Sequence, residues 1–122
     1  MFTEEKNRLC QKVDALEAEM TRLSLALHAR PELGNEEYEA ARLLTDASRT
    51  QGFHVTQGVA ALPTSFVAKR GDRGPKIAFL AEYDALPGLG HACGHNLIAS
   101  MSFGAAAAFA ALTADQAQTY FI

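Results

Sequence analysis

Apolar residues Leu9, Val13, Leu16, Met20, Leu23 and Leu27 recur at alternating steps of four and three. That spacing lines one face of a helix, and Lys12, Asp14, Glu17, Glu19 and Arg22 occupy the opposite side. The pattern predicts one long amphipathic helix over residues 3–28. Such a stripe packs on a core or forms a short coiled-coil seam. The flanking charges show no clean pairing, which favours the core. Pro31 ends the helix, because the residue before a proline is pushed out of the helical region. Asn35 followed by Glu36, Glu37 and Tyr38 then predicts a second helix over residues 35–51. Asn35 would cap its free N–H groups, the carboxylates would oppose its dipole, and Gly52 would close it. Ala40, Leu43, Leu44 and Ala47 form its inward face.

After Gly52 the hydrophobic period shortens. Strands are predicted over residues 53–57, 64–69 and 76–82, separated by Gly and Pro punctuation. The third is continuously apolar, as expected of a strand covered on both faces. A helix over residues 97–112 follows, with small residues that allow close approach to a sheet, and residues 118–122 open another strand. The order predicts an α/β fold with an incomplete sheet. Tyr120, Phe121 and Ile122 stand where a terminus usually frays into polar residues, so residues 1–122 read as the N-terminal segment of a larger domain.

Composition narrows the partners. The 122 residues are 48% hydrophobic and 20% charged with a net charge of −3, the profile of ordinary globular sequence. Without a Lys/Arg block, neither nucleic acid nor an anionic membrane is expected as a partner. Lys69, Arg70, Arg73 and Lys76 are interrupted by Gly71, Asp72, Gly74 and Pro75, which reads as a solvated hairpin turn. The apolar run 97–112 is too short to span a bilayer and reads as a buried helix. Cys10 and Cys93 lie far apart, and the N-terminus lacks the apolar core of a signal peptide, which together fit a reducing, cytoplasmic setting.

Most of the chemistry lies in residues 81–96, Ala-Glu-Tyr-Asp-Ala-Leu-Pro-Gly-Leu-Gly-His-Ala-Cys-Gly-His-Asn. His91, Cys93 and His95 alternate, with Glu82 and Asp84 upstream, between a predicted strand and a predicted helix. In open α/β sheets such loops at the carboxyl ends of strands carry the active site. Thiolate and imidazole suit zinc, and carboxylates suit harder ions such as manganese. Gly94 lets Cys93 and His95 converge, and Asp84 could ligate directly or fix the tautomer of a ligating imidazole. A closed structural zinc site needs four ligands, usually as two pairs, and no second pair exists. His28 and His54 are isolated and read as surface or core histidines. The loop is therefore half a site, of a catalytic kind. Three other readings stand beside it: a dinucleotide loop with Cys93 at its third glycine position, Cys93 as a nucleophile, and an incidental Gly-rich loop.

The string from Glu82 to Asn96 closely resembles the metal loop of the di-metal amidohydrolases and peptidases of the aminoacylase and carboxypeptidase G type. Within that family the string most resembles the branch holding aminoacylase-1-like protein 2 and p-aminobenzoyl-glutamate hydrolase. Leu27-His-Ala-Arg-Pro-Glu-Leu-Gly-Asn-Glu-Glu37 resembles the helix–turn–helix that opens the same proteins. The resemblance covers essentially the whole chain. It implies the first part of a zinc-peptidase-like three-layer α/β/α catalytic domain. It also implies two divalent ions (zinc or manganese), Cys93 and His95 as metal ligands, and Asp84 as a supporting carboxylate. Glu82 stands where more distant relatives place a histidine ligand, and His91 matches the motif with no ligand role assigned. Asn96 replaces an Asp common in the indole-acetyl-amino-acid hydrolase branch. The activity implied is metal-assisted hydrolysis of an N-acyl amino acid, dipeptide or aminobenzoyl-glutamate-like amide, with the catalytic glutamate and remaining ligands outside these residues. Full-length relatives are expected to dimerise through a domain absent here. The alternative is a non-catalytic truncated paralogue or binding fragment.

Overall fold

A computed structural model describes residues 3–122. Its elements run α1 (Thr3–Asp14), α2 (Glu17–Ala29), α3 (Tyr38–Thr50), β1 (His54–Gln57), a short 3-10 turn (Val59–Ala61), β2 (Phe66–Arg70), β3 (Lys76–Phe79), α4 (His95–Thr113) and β4 (Gln118–Phe121). The single helix expected over 3–28 is two helices. Leu16 N–H bonds the Val13 carbonyl at 2.9 Å, three residues back rather than four, and this tightening redirects the chain without Gly or Pro. Only α2 reaches the core, through Leu23, Ser24 and Leu27, while α1 lies on α4 with no buried residue.

The sheet order is β1-β2-β4-β3, with β2 antiparallel to β4 and β3 parallel to it. The basic segment between β2 and β3 is therefore not a hairpin turn, because β4 is inserted between those two strands. Nor is β3 covered on both faces. It is an edge strand with Lys76 and Ala78 exposed, and its apolar run serves only one face, through Ile77 and Phe79. The central position belongs to β4, where Thr119 and Phe121 are buried.

The core lies between the sheet and α3, α4 and α2. Register places Ala68, Phe121 and Phe79 side by side. Phe121 meets Phe66 and Phe103 at ring-centroid distances of 5.3 and 6.1 Å, and Phe79 meets Phe109 at 5.8 Å. Each such pair adds about 0.5–1.5 kcal/mol beyond area burial. Ala99, Ala106, Ala107 and Ala110 face the same core, and these short side chains let α4 approach closely. Gly104 is another close point, since a β-carbon there would collide with the Met20 side chain of α2. The opposite face of the sheet is open in these residues, with His54, Thr56, Lys76 and Ala78 exposed.

Helix α4 starts at His95, two residues before the expected boundary, and extends 19 residues. That is about 28 Å, long and apolar enough to cross a bilayer by length and composition, so length alone does not exclude a span. Its contacts mark it as a core helix. Asn96, Ser100, Phe103 and Gly104 are buried, and the Ser100 hydroxyl donates to the Met20 carbonyl at 2.6 Å.

The turn between β2 and β3 passes close to residues 114–117, the segment that leads into β4. Gly74 has φ +76°, and a β-carbon there would overlap the Gln116 carbonyl. Positive φ costs an L-residue about 1–2 kcal/mol before any clash. Gly74→Ala is expected to lower the unfolding free energy by about 2 kcal/mol or more in urea denaturation. The exposed Gly88, also at positive φ but with open space around its α-carbon, is expected to cost less on the same substitution.

Candidate metal centre

The chain leaves β3 as a fixed strand end. Ala81 N–H donates to the Ile122 carbonyl at 2.7 Å, and the Ser102 hydroxyl of α4 donates to the Leu80 carbonyl at 2.6 Å. Further on, Ala85 N–H donates to the Glu32 carbonyl at 2.7 Å, and Leu33 bridges Ala85 in parallel. Glu82, Tyr83 and Asp84 are thus suspended between two anchored points. Leu86 and Gly90 then close a tight turn, and Gly88, Gly90 and Gly94 all adopt positive φ. Gly94 precedes α4 directly, so His95 sits on the first helical turn rather than in the loop.

His95 is the centre of this arrangement. Its Nδ1 lies 2.9 Å from the Asp84 carbonyl oxygen and 2.8 Å from Asp84 Oδ1. Both oxygens are acceptors, so Nδ1 must carry the hydrogen and Nε2 points the other way. Nε2 faces Glu82 Oε2 at 2.8 Å. The ring is 21% exposed, against 58% for the Glu82 side chain and 42% for Asp84, so it is the most buried of the three. Cys93 is exposed and free, as is Cys10. His91 is instead buried, with Nδ1 lacking a hydrogen-bond partner. His28 and His54 are exposed.

The structure thus brings Asp84, His95 and Glu82 together and leaves Cys93 two residues away on the surface of the same turn. The donor types present suit zinc or manganese: an imidazole, a carboxylate against each of its nitrogens, and a nearby thiol. They fit as part of a coordination shell. Among the described residues, no group of three or more His, Cys, Asp and Glu side chains is arranged to hold an ion.

The support beneath the loop departs in part from the sequence expectation. Asn35 does not cap α3. It adopts φ 69° within the turn, and the Glu32 carboxylate takes the capping role, accepting from the N–H groups of Glu39 at 3.0 Å and Ala40 at 2.8 Å. Glu32 therefore ties the start of α3 by its side chain and the metal-loop candidate by its carbonyl. Glu37, expected to oppose the helix dipole, is buried and accepts from the Thr64 hydroxyl at 2.8 Å. Tyr83 donates from its hydroxyl to the Thr64 carbonyl at 2.7 Å, and burial followed by the Glu37 charge pushes its phenol up to about 12. A β-carbon on Gly34 would lie in ordinary contact with oxygens of both Glu37 and Asp84. Asn96 is buried, its amide donating to Ser24 Oγ at 3.0 Å, which fastens α4 to α2 rather than serving a ligand. The acidic spacing of Glu32, Glu36 and Glu37 was the available signal for the turn, but sequence spacing cannot separate a buried carboxylate from a solvated one.

Burial, then the charges of His28 and His95, hold the His91 imidazole below its ordinary value against weaker opposition from Asp84 and the Leu27 backbone. The unfolded chain binds that proton more readily, so this contribution to stability is fully present above about pH 6.5 and is lost as pH falls from there through the lower folded value. Urea midpoints measured between pH 7.5 and 5.5 are expected to fall on acidification, and to fall less in His91→Asn; an identical slope in the variant would refute the assignment.

No family model matches the chain. Over 111 residues it is 40% identical to Xaa-Arg dipeptidase of Mus musculus, covering 83% of this chain and 26% of the relative. Over 115 residues it is 37% identical to one of the subunits of p-aminobenzoyl-glutamate hydrolase of Escherichia coli, covering 78% of this chain and 24% of the relative. Among solved structures, a dinuclear metal-binding peptidase of the M20 family from Bacillus subtilis superposes with a TM-score of 0.72 at 25% identity. The match covers 88% of this chain and 35% of that one. The chain spans about a quarter of the length of these curated relatives. With the strand–loop–helix placement of its His-Ala-Cys-Gly-His segment, these matches place the chain in the M20 family of amidohydrolases and peptidases.

Proposed function

We propose that the chain forms part of a metal-dependent hydrolase of C–N amide bonds, acting on a dipeptide, N-acyl amino acid or aminobenzoyl-glutamate-like substrate. The observation that carries this reading is the His95 imidazole on the first turn of α4, held through Nδ1 by Asp84 with Nε2 against the Glu82 carboxylate. The relatives support the substrate class, being a dipeptidase and an aminobenzoyl-glutamate hydrolase.

In this reading His95 Nε2 and the Cys93 thiolate would hold divalent metal, of the zinc or manganese class. The metal, when bound, would supply a Lewis acid for the scissile carbonyl and lower the pKa of a water. Asp84 acts through His95, fixing its tautomer and orientation. Glu32 and the turn at residues 32–37 keep Asp84 in place. The remaining ligands and the proton-accepting glutamate would come from the rest of the length that relatives possess. The free, exposed Cys10 and Cys93 support a reducing, cytoplasmic setting.

A second reading is a binding fragment without turnover, since the chain spans about a quarter of the length of its curated relatives. Zinc titration by calorimetry, together with amide hydrolysis assays, separates the two. The 122 residues alone are expected to bind zinc weakly and not to turn over substrate. Asp84→Ala is expected to weaken zinc binding about 10–100-fold, the usual cost of losing a carboxylate that orients a metal-binding imidazole, and Cys93→Ala at least as much. Unchanged affinity in Cys93→Ala would remove it as a ligand. Robust metal-dependent hydrolysis by the purified chain would refute the incomplete-site account.

A further inference from the structure

Glu82, Tyr83 and Asp84 hang between two anchored points, Ala81 on Ile122 and Ala85 on Glu32. Those anchors fix where the segment begins and ends, but not which way its three side chains face. The contacts divide them. Glu82 and Asp84 both reach the His95 ring, each at 2.8 Å from one of its nitrogens. Tyr83, between them, turns the other way, as alternate positions of an extended chain do. Its hydroxyl donates to the Thr64 carbonyl at 2.7 Å, and its ring stacks on Phe66 with centroids 5.9 Å and planes 25° apart. Both partners are themselves held. Phe66 is buried against Phe121, and the buried Thr64 donates its hydroxyl to the Glu37 carboxylate at 2.8 Å.

We propose that Tyr83 is a positioning residue: its bond to Thr64 and its stacking on Phe66 turn Glu82 and Asp84 together onto His95. This role rests on the metal-dependent reading of the loop and deepens it. Of the two contacts, the hydroxyl bond is the directional one. Near-parallel rings tolerate sliding against each other, whereas a 2.7 Å hydrogen bond fixes the far end of the phenol. With its ring held at the side and at the tip, Tyr83 resists rotation about the chain, and so do the residues on either side of it. The carboxylates have no comparable support of their own. Among the described residues, neither Glu82 nor Asp84 has an ion-pair partner besides His95. An apolar side chain at position 83 could fill the space beside Phe66, but it would leave the Thr64 carbonyl without this donor.

Tyr83→Phe keeps the ring and removes only the hydroxyl. The test measures solvent exchange of the His95 Nδ1 proton by NMR and zinc affinity by calorimetry, with folding checked by circular dichroism. Gly74→Ala, before the opposite end of β3, is the control that lowers stability without touching the loop. Tyr83→Phe is expected to speed exchange of the Nδ1 proton and to weaken zinc binding, each about tenfold, with Gly74→Ala at wild-type values in both. Wild-type exchange and affinity in Tyr83→Phe would overturn the proposal and leave the metal reading standing. Equal changes in Gly74→Ala would overturn it too, since lost stability alone would then account for them. A wild-type chain that binds no zinc would defeat the metal reading, and the Nδ1 proton would still decide the role of Tyr83. Should Tyr83→Phe fail to fold, native-state exchange in the wild-type chain provides the readout. The Tyr83 hydroxyl proton and the His95 Nδ1 proton are expected to lose protection together as urea rises below the unfolding transition. Independent loss would refute the coupling.

Discussion

Both acceptors of Asp84, its carbonyl and its carboxylate, converge on the one ring nitrogen of His95, and this pair of contacts decides what the rest of the loop can do. They join the strand end to the first turn of α4 across 11 residues of Gly-rich chain. They also leave Nε2 as the nitrogen available to a ligand. An imidazole without such a partner rotates and changes tautomer, and one held in this way behaves as a fixed donor.

That pair of contacts is rigid only because Asp84 is itself held. The parallel pairing of β3 with β4, the packing of Phe79 on Phe109 and that of Phe121 on Phe66 and Phe103 fix the strand end. The Glu32 carbonyl fixes the chain at Ala85, and its carboxylate fixes Glu32 to α3. Buried Glu37 and Thr64 and half-buried Tyr83 lock the same turn to the segment before β2. A buried carboxylate is tolerated when it is hydrogen-bonded, and here its charge adds to burial in pushing the Tyr83 phenol up. The function proposed for the loop therefore depends on residues far upstream in the sequence.

The sequence made some of this legible. The strand–loop–helix order, the positive-φ glycines and the grouping of Asp84 with His95 all follow from local pattern, because turn chemistry and ligand type are properties of single residues. The helix break at Leu16 was not legible, since it is a hydrogen-bond shift with no Gly or Pro to announce it. Nor was the insertion of β4 between β2 and β3, which is a long-range pairing that adjacent strand patterns do not encode. The carboxylates were hardest to read. Glu32, Glu37 and Glu82 look alike in sequence, yet one caps a helix, one is buried against Thr64 and one faces His95.

The central claim is that Asp84 reserves Nδ1 of His95 and so offers Nε2 to a divalent ion. Long-range nitrogen-15 to proton correlation of the histidine rings, recorded with and without zinc, tests it most directly. The account predicts a protonated Nδ1 on His95 in both spectra, with the zinc-induced shift confined to Nε2. A zinc-induced shift at Nδ1, or a proton retained on Nε2 in the zinc-bound chain, would contradict it.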